Sequence, residues 1–157
     1  MLREIKLAVN GEVRGLRVSP EWTLQYVLHD ELGITSVKDM CGGKGECGSC
    51  TVILDGRPVL SCMVLAMNCE GKLIETLEGI AKANHPLIPE YVKYHCMQCG
   101  YCTPGFIVTA KALLDRNPDP TADEVREALA GNICRCGTYP QHVKAVLSAS
   151  KQLRRAK

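Results

Sequence analysis

Between Met40 and Cys62 the chain reads MCGGKGECGSCTVILDGRPVLSC, with Cys41, Cys47, Cys50 and Cys62 set among glycines at 42, 43, 45 and 48. No regular helix or strand suits the glycine-rich part of this run. Glycine loses most freedom when ordered and alone takes positive φ at little cost, so the backbone here is expected to curl. Three thiolates from one curled loop, and a fourth returned by a short hairpin, form the donor set of a [2Fe–2S] cluster. Each iron takes two protein sulfurs, and hydrogen bonds from nearby N–H groups to the sulfurs tune the centre.

The plant-type ferredoxin loop is written C-x4-C-x2-C…C. Here the spacing is C-x5-C-x2-C-x11-C, one residue longer in its first gap. A second set lies further on, with Cys99-Gly-Tyr-Cys102 and, after 31 intervening residues, Cys134-Arg-Cys136. Both pairs precede expected helices, where free N–H groups and the positive end of the dipole favour thiolates. Four ligands from two loops suffice for a second [2Fe–2S] centre. Zinc also takes four cysteines, but its knuckles mostly space them by two to four residues, which the C-x-C pair does not. Cys96-x2-Cys99-x2-Cys102 resembles the front of a [4Fe–4S] run, yet position 106, where the fourth cysteine is expected, is Phe. Cys69 and Cys96 are left over and read as buried free thiols. His29, His85, His95 and His142 show no ligand spacing and read as surface or core residues. Met40 and Met63 read as packing residues.

Composition narrows the class. The chain has 157 residues, 46% apolar and 23% charged, with a net charge of +2. So balanced a charge gives no electrostatic argument for nucleic acid, and seven aromatic residues offer few stacking platforms. Basic residues gather only from Lys151 to Lys157, which reads as a solvated terminus. The N-terminus shows no signal-peptide pattern and no apolar run long enough to span a membrane. A cytoplasmic protein is expected, or a periplasmic one if it is exported with a partner. Ten cysteines in such a chain argue for metal ligation over disulfides.

The fold class read from these patterns is α+β. Residues 5–9 and 13–18 alternate around Asn10-Gly11, a hairpin signal. Ser19-Pro20-Glu21 reads as the start of a helix carrying Leu24, Val27, Leu28 and Leu32 on one face, stopped by Gly33. Thr51–Leu54, Asp55-Gly56 and Pro58–Leu60 form a second hairpin, and 72–76 a last strand. This first part, 1–76, reads as a β-grasp, ferredoxin-like domain. Residues 78–89 read as a connector and a short helix start. Then Thr103-Pro104 starts a helix, Thr121-Ala-Asp-Glu124 is a capping box, and Tyr139-Pro140 starts a last helix. The second part, 77–157, reads as a helical metal-binding domain.

Taken together, GECGSCTVILDG (45–56), RPVLSC (57–62), MQCGYCTPG (97–105) and GNICRCGTYP (131–140) resemble the small iron–sulfur subunit of xanthine dehydrogenase-type molybdenum hydroxylases. The resemblance runs from about residue 4 to 147. It implies a β-grasp domain followed by a four-helix bundle. It implies an outer [2Fe–2S] cluster on Cys41, Cys47, Cys50 and Cys62, and an inner one on Cys99, Cys102, Cys134 and Cys136. Gln98 matches a residue that contacts the pterin of a molybdopterin cofactor held in a large partner subunit. Electrons from substrate hydroxylation then pass through the inner cluster and the outer one to an FAD-bearing medium subunit, in a multimer of heterotrimers. The Cys136-Gly-Thr-Tyr-Pro variant resembles a branch that includes isoquinoline 1-oxidoreductase and related aldehyde dehydrogenases, some of which pass electrons to a cytochrome. The rival functions are a free ferredoxin, against which the balanced charge and whole helical part argue, and a zinc-stabilised interaction module.

Overall fold

The computed structural model describes residues 1–155; the end of the basic tail, 156–157, lies outside the described residues. β1 (Arg3–Val9) and β2 (Glu12–Val18) pair antiparallel with Ile5 opposite Leu16. Asn10 and Gly11 both take positive φ, 53° and 83°, as a type I′ turn requires. Asp55 and Gly56 repeat the device at 47° and 78°, turning β3 (Thr51–Leu54) into β4 (Arg57–Leu60). β5 (Leu73–Glu75) lies parallel to β1 and antiparallel to β3. The result is a five-stranded mixed sheet in the order β2-β1-β5-β3-β4.

The helix expected from Ser19 starts later. The Trp22 N–H donates back to the Ser19 carbonyl at 3.0 Å, closing a turn, and the Leu24 N–H donates to Val64 O at 2.7 Å. Thr23 is therefore the cap of α1 (Leu24–Tyr26), accepting from the Tyr26 N–H at 3.2 Å. A π-helical turn, Val27–Glu31, continues it, and Gly33 ends it at φ 67°. The apolar stripe survives this change. Leu24, Val27 and Leu28 are fully buried with Leu7, Val52 and Ile74 of the sheet.

β3 joins two cores. Side chains alternate along a strand, so Val52 and Leu54 enter the cluster under α1 while Ile53 enters a helical one. The helices are α2 (Leu77–Lys82), α3 (Leu87–Lys93), α4 (Thr103–Arg116), α5 (Ala122–Leu129) and α6 (Tyr139–Arg155). The expected connector thus holds two short helices, parted at Asn84, whose φ is 52°. α4 is the axis of the second cluster: Phe106, Ile107, Ala110 and Leu113 pack with Tyr91, Val125, Leu129 and Val146. Each large side chain so buried contributes roughly 1.5–3 kcal/mol, and truncating Phe106 to Ala costs about 3–5 kcal/mol.

Thr121 and Glu124 form the expected capping box of α5. At α4 the expected cap moves by one residue. The Thr103 N–H closes on Gly100 O at 3.3 Å, making Cys102 the cap and leaving the Thr103 hydroxyl buried without a partner. The basic stretch from Lys151 to Arg155 is exposed but belongs to the end of α6, where Arg154 pairs with Asp119 at 2.6 Å. The class is α+β. Among the described residues no helix is long and apolar enough to cross a membrane.

Candidate metal centres

The first cysteine loop curls as its glycines suggest. Gly42, Gly43, Gly45 and Gly48 all sit at φ between 71° and 74°. Asp39 pins the first turn, its carboxylate accepting from the Gly42 and Gly43 N–H groups at 2.8 and 3.0 Å. Gly45 lies under Met63, whose Sδ would stand 2.8 Å from a Cβ there. Met63 is otherwise 65% exposed, so it covers the loop and does not fill a core. Cys47, Cys50 and Cys62 are buried, and Cys41 is half-buried at the rim. The Glu46 N–H, more than any other contact, lowers the Cys41 thiol to about 7. Burial, and then the neighbouring Cys50, pushes Cys62 up to about 12. A bound metal beside these sulfurs would favour their thiolate forms.

The second group gathers at the N-terminal ends of α4 and α6. Cys102 and Cys134 are buried, Cys136 half-buried and Cys99 exposed. Cys99 Sγ and Cys136 Sγ stand 3.5 Å apart. The sulfurs of Cys102 and Cys134 and a ring nitrogen of His142 all lie within 4.8 Å of one another. The Tyr101 N–H, then the Cys136 thiol, lowers the pKa of Cys99. Burial, then Cys134, pushes Cys102 up to about 12. For Cys134 burial also acts upward, but the Thr138 hydroxyl and N–H outweigh it and leave the thiol below its ordinary value. All ten cysteines are free in this structure. Sulfur-only donors joined by backbone N–H groups suit zinc or an iron–sulfur group, and the residues present fit either. Cys69 and Cys96 are fully buried thiols, and burial raises the pKa of each, that of Cys96 to about 12. Cys96 sits in the helical cluster beside Tyr91 and Leu87. Gln98 is exposed, its Nε2 3.5 Å from the Cys136 carbonyl.

The two groups touch through their backbones. The Ile133 N–H donates to Cys47 O at 2.9 Å, and Asn132 Nδ2 donates to Gly48 O at 3.0 Å. Tyr101, between Cys99 and Cys102, donates from its hydroxyl to Asp39 O at 2.8 Å. Sequence reasoning missed Asn132, Tyr101 and Thr138, and gave His142 no role at the cysteines. His142 is fully buried, stacked on Phe106 with ring centroids 3.9 Å apart, and its Nε2 lies 3.0 Å from Thr138 Oγ1. Burial lowers its pKa to about 4. The available signal was the four-residue step from Thr138 to His142, one helical turn at the start of α6.

Comparison with known proteins agrees with this geometry. The [2Fe-2S] binding domain pattern matches residues 76–147. The small FeS subunit of nicotinate dehydrogenase from Eubacterium barkeri is 47% identical over 137 residues, covering 86% of this chain and 87% of that one. The iron-sulfur-binding subunit of xanthine dehydrogenase from Escherichia coli O157:H7 is 42% identical over 151 residues, 94% of each. The structure of quinoline 2-oxidoreductase from Pseudomonas putida 86 superposes with a TM-score of 0.92 at 39% identity, covering 98% of this chain and 97% of the matched chain. The chain belongs to the family of small iron–sulfur subunits of molybdenum hydroxylases of the xanthine dehydrogenase type. Its class is that of an electron-transfer subunit in an oxidoreductase complex.

Proposed function

We propose that this chain carries electrons from a molybdopterin site in a large partner subunit to an FAD-bearing medium subunit. A cytochrome is the alternative acceptor. Cys99, Cys102, Cys134 and Cys136 hold the inner [2Fe–2S] cluster, and Cys41, Cys47, Cys50 and Cys62 the outer one. When bound, each group supplies a one-electron couple whose potential answers to charge, hydrogen bonding and exposure. The chain's own residues bury one side of each site and aim backbone N–H groups at the sulfurs. Residues 1–76 then act as a β-grasp domain, and 77–157 as a helical [2Fe–2S]-binding domain.

The observation that carries this reading is the direct bond between the two loops, Ile133 N–H to Cys47 O at 2.9 Å. An electron carrier needs its two sites adjacent and rigidly related; a zinc-stabilised module needs neither. Met97, Tyr101, Ile133 and Tyr139, on or flanking the inner loops, are each 40–43% exposed. Apolar exposure around a metal loop supports a face covered by the large subunit. Cys99 and Gln98 are exposed on the same loop, which supports Gln98 as the pterin contact.

Iron and acid-labile sulfide analysis of the purified chain, with EPR after dithionite reduction, tests the assignment. About four irons and four sulfides per chain, with two distinguishable [2Fe–2S] signals, are expected. Zinc without sulfide overturns it.

A further inference from the structure

We propose that Thr138 and His142 form a buried hydrogen-bond chain onto Cys134 that raises the reduction potential of the inner iron–sulfur site. This inference rests on the assignment of Cys134 as an inner-cluster ligand. Both residues are positioning residues, acting through Cys134.

Thr138 Oγ1 lies 3.1 Å from Cys134 Sγ and 3.0 Å from His142 Nε2. All three side chains are buried, Thr138 3% exposed and His142 fully enclosed. Donor counting fixes the direction of the chain. A metal-bound cysteine is a thiolate and only accepts. The threonine hydroxyl has a single proton, which therefore goes to Cys134 Sγ. Its oxygen is left to accept, so His142 must supply Nε2–H. That tautomer leaves Nδ1 unprotonated, and Nδ1 is the ring atom that is buried with no partner. The imidazole makes no ion pair among the described residues.

A buried imidazole with one unpaired nitrogen is an expensive way to fill a core. An orphaned buried acceptor is destabilising, and a phenyl ring would make the same stack on Phe106 without it. What the imidazole adds is a donor behind a donor. Hydrogen bonds in series polarise one another in a low-dielectric interior, so His142 strengthens the bond Thr138 makes to sulfur. Such a bond stabilises the more negative, reduced state of the site and so raises its potential. One electron arrives on reduction, and no proton leaves either side chain.

The test is an EPR-monitored redox titration of the assembled enzyme complex carrying Thr138→Val, Thr138→Ser or His142→Phe. Thr138→Val keeps the branched shape and removes the donor. It is expected to shift the partition of the electron between the inner and outer sites about tenfold toward the outer one, about 59 mV for a one-electron couple. Thr138→Ser retains the hydroxyl and is expected to retain the wild-type potential. His142→Phe keeps the stack and shifts the potential in the same direction by a smaller amount. An unchanged potential in Thr138→Val with the inner signal intact overturns the proposal. So does a Thr138→Ser shift as large as that of the valine variant.

If Thr138→Val fails to assemble, His142→Phe decides, and no change there overturns the chain. Loss of the inner signal in His142→Phe alone would make His142 a ligand, which also overturns it. Absence of an inner [2Fe–2S] signal from the wild-type complex would instead refute the ligand assignment beneath it.

Discussion

The carbonyl of Cys47 accepts a hydrogen bond from the N–H of Ile133 at 2.9 Å, so a residue from one cysteine loop and the neighbour of a cysteine in the other share a backbone contact. Around this bond there is no spare room. A Cβ at Gly105, in the first turn of α4, would stand 2.3 Å from Gly48 O and 3.2 Å from Asn132 Nδ2. The nearer atom is backbone and cannot swing aside.

Gly105→Ala therefore tests the junction through steric contact alone, since the φ of Gly105 lies outside the left-handed range. In most helices this change is favourable by up to about 1 kcal/mol. Here it is expected to destabilise by roughly 1–3 kcal/mol, as overpacking does. Chemical denaturation of the loaded chain measures this, and a gain in stability would show that the two loops can separate freely.

Cys136→Ser tests which cysteines belong together. Cys136 Sγ lies 3.5 Å from Cys99 Sγ, in the group at the ends of α4 and α6. The variant is expected to lose the inner signal and about half its iron while the outer signal persists. Turnover of an assembled complex should stop with every acceptor. Loss of both signals, or retained turnover, would refute two separate sites in series.

The parts of this molecule legible in the sequence are those encoded locally. Asn10-Gly11 and Asp55-Gly56 specify their turns because two consecutive positive φ angles exclude most other residues. The cysteines proposed as ligands stand out because thiols at short spacing among glycines have few other uses. What sequence reasoning missed depends on distant partners. Thr23 caps α1 in place of Ser19 because Leu24 bonds Val64, some forty residues away in the chain. Asn132 was given no role, and its partner Gly48 lies 84 positions earlier. His142 read as a surface or core residue, and the structure puts it in the core. Its link to Cys134 exists only because α6 begins where Thr138 can touch both.

Glu78 ties the start of α2 to the loop before the first cysteine. Its carboxylate accepts from the Ser36 N–H at 3.1 Å and the Ser36 hydroxyl at 2.6 Å. Partial burial acts to raise its pKa, but the hydroxyls of Ser36 and Thr76 outweigh it and leave the folded value below the ordinary 4.5. The folded carboxyl thus binds protons less readily than the unfolded one. Its contribution is fully present above about pH 4.5 and is lost as pH falls through the lowered folded value. Stability of Glu78→Gln, measured from pH 7 to 3, should lack that part of the acid-side fall. A variant with the same acid slope as wild type would remove Glu78 from the account.

Tyr91 offers a test whose expected sign runs against intuition. Its ring is completely buried between α4 and α6, 5.3 Å from the ring of His142, and its hydroxyl has no hydrogen-bond partner. Burial, then the nearby Cys96 and Cys102, raises its pKa well above the ordinary tyrosine value, so the group is neutral. An unpaired buried hydroxyl costs roughly 1–3 kcal/mol, and removing it relieves that cost while the ring still packs. Tyr91→Phe should therefore hold or raise the melting temperature of the loaded chain. A fall of the same size would mean that the hydroxyl bonds something other than the polypeptide, and the inorganic sulfides of the proposed inner cluster would then be the first place to look. EPR of the variant separates the cases: an unpaired hydroxyl leaves the inner signal unmoved, whereas a hydroxyl bonded to sulfur shifts its g values on removal.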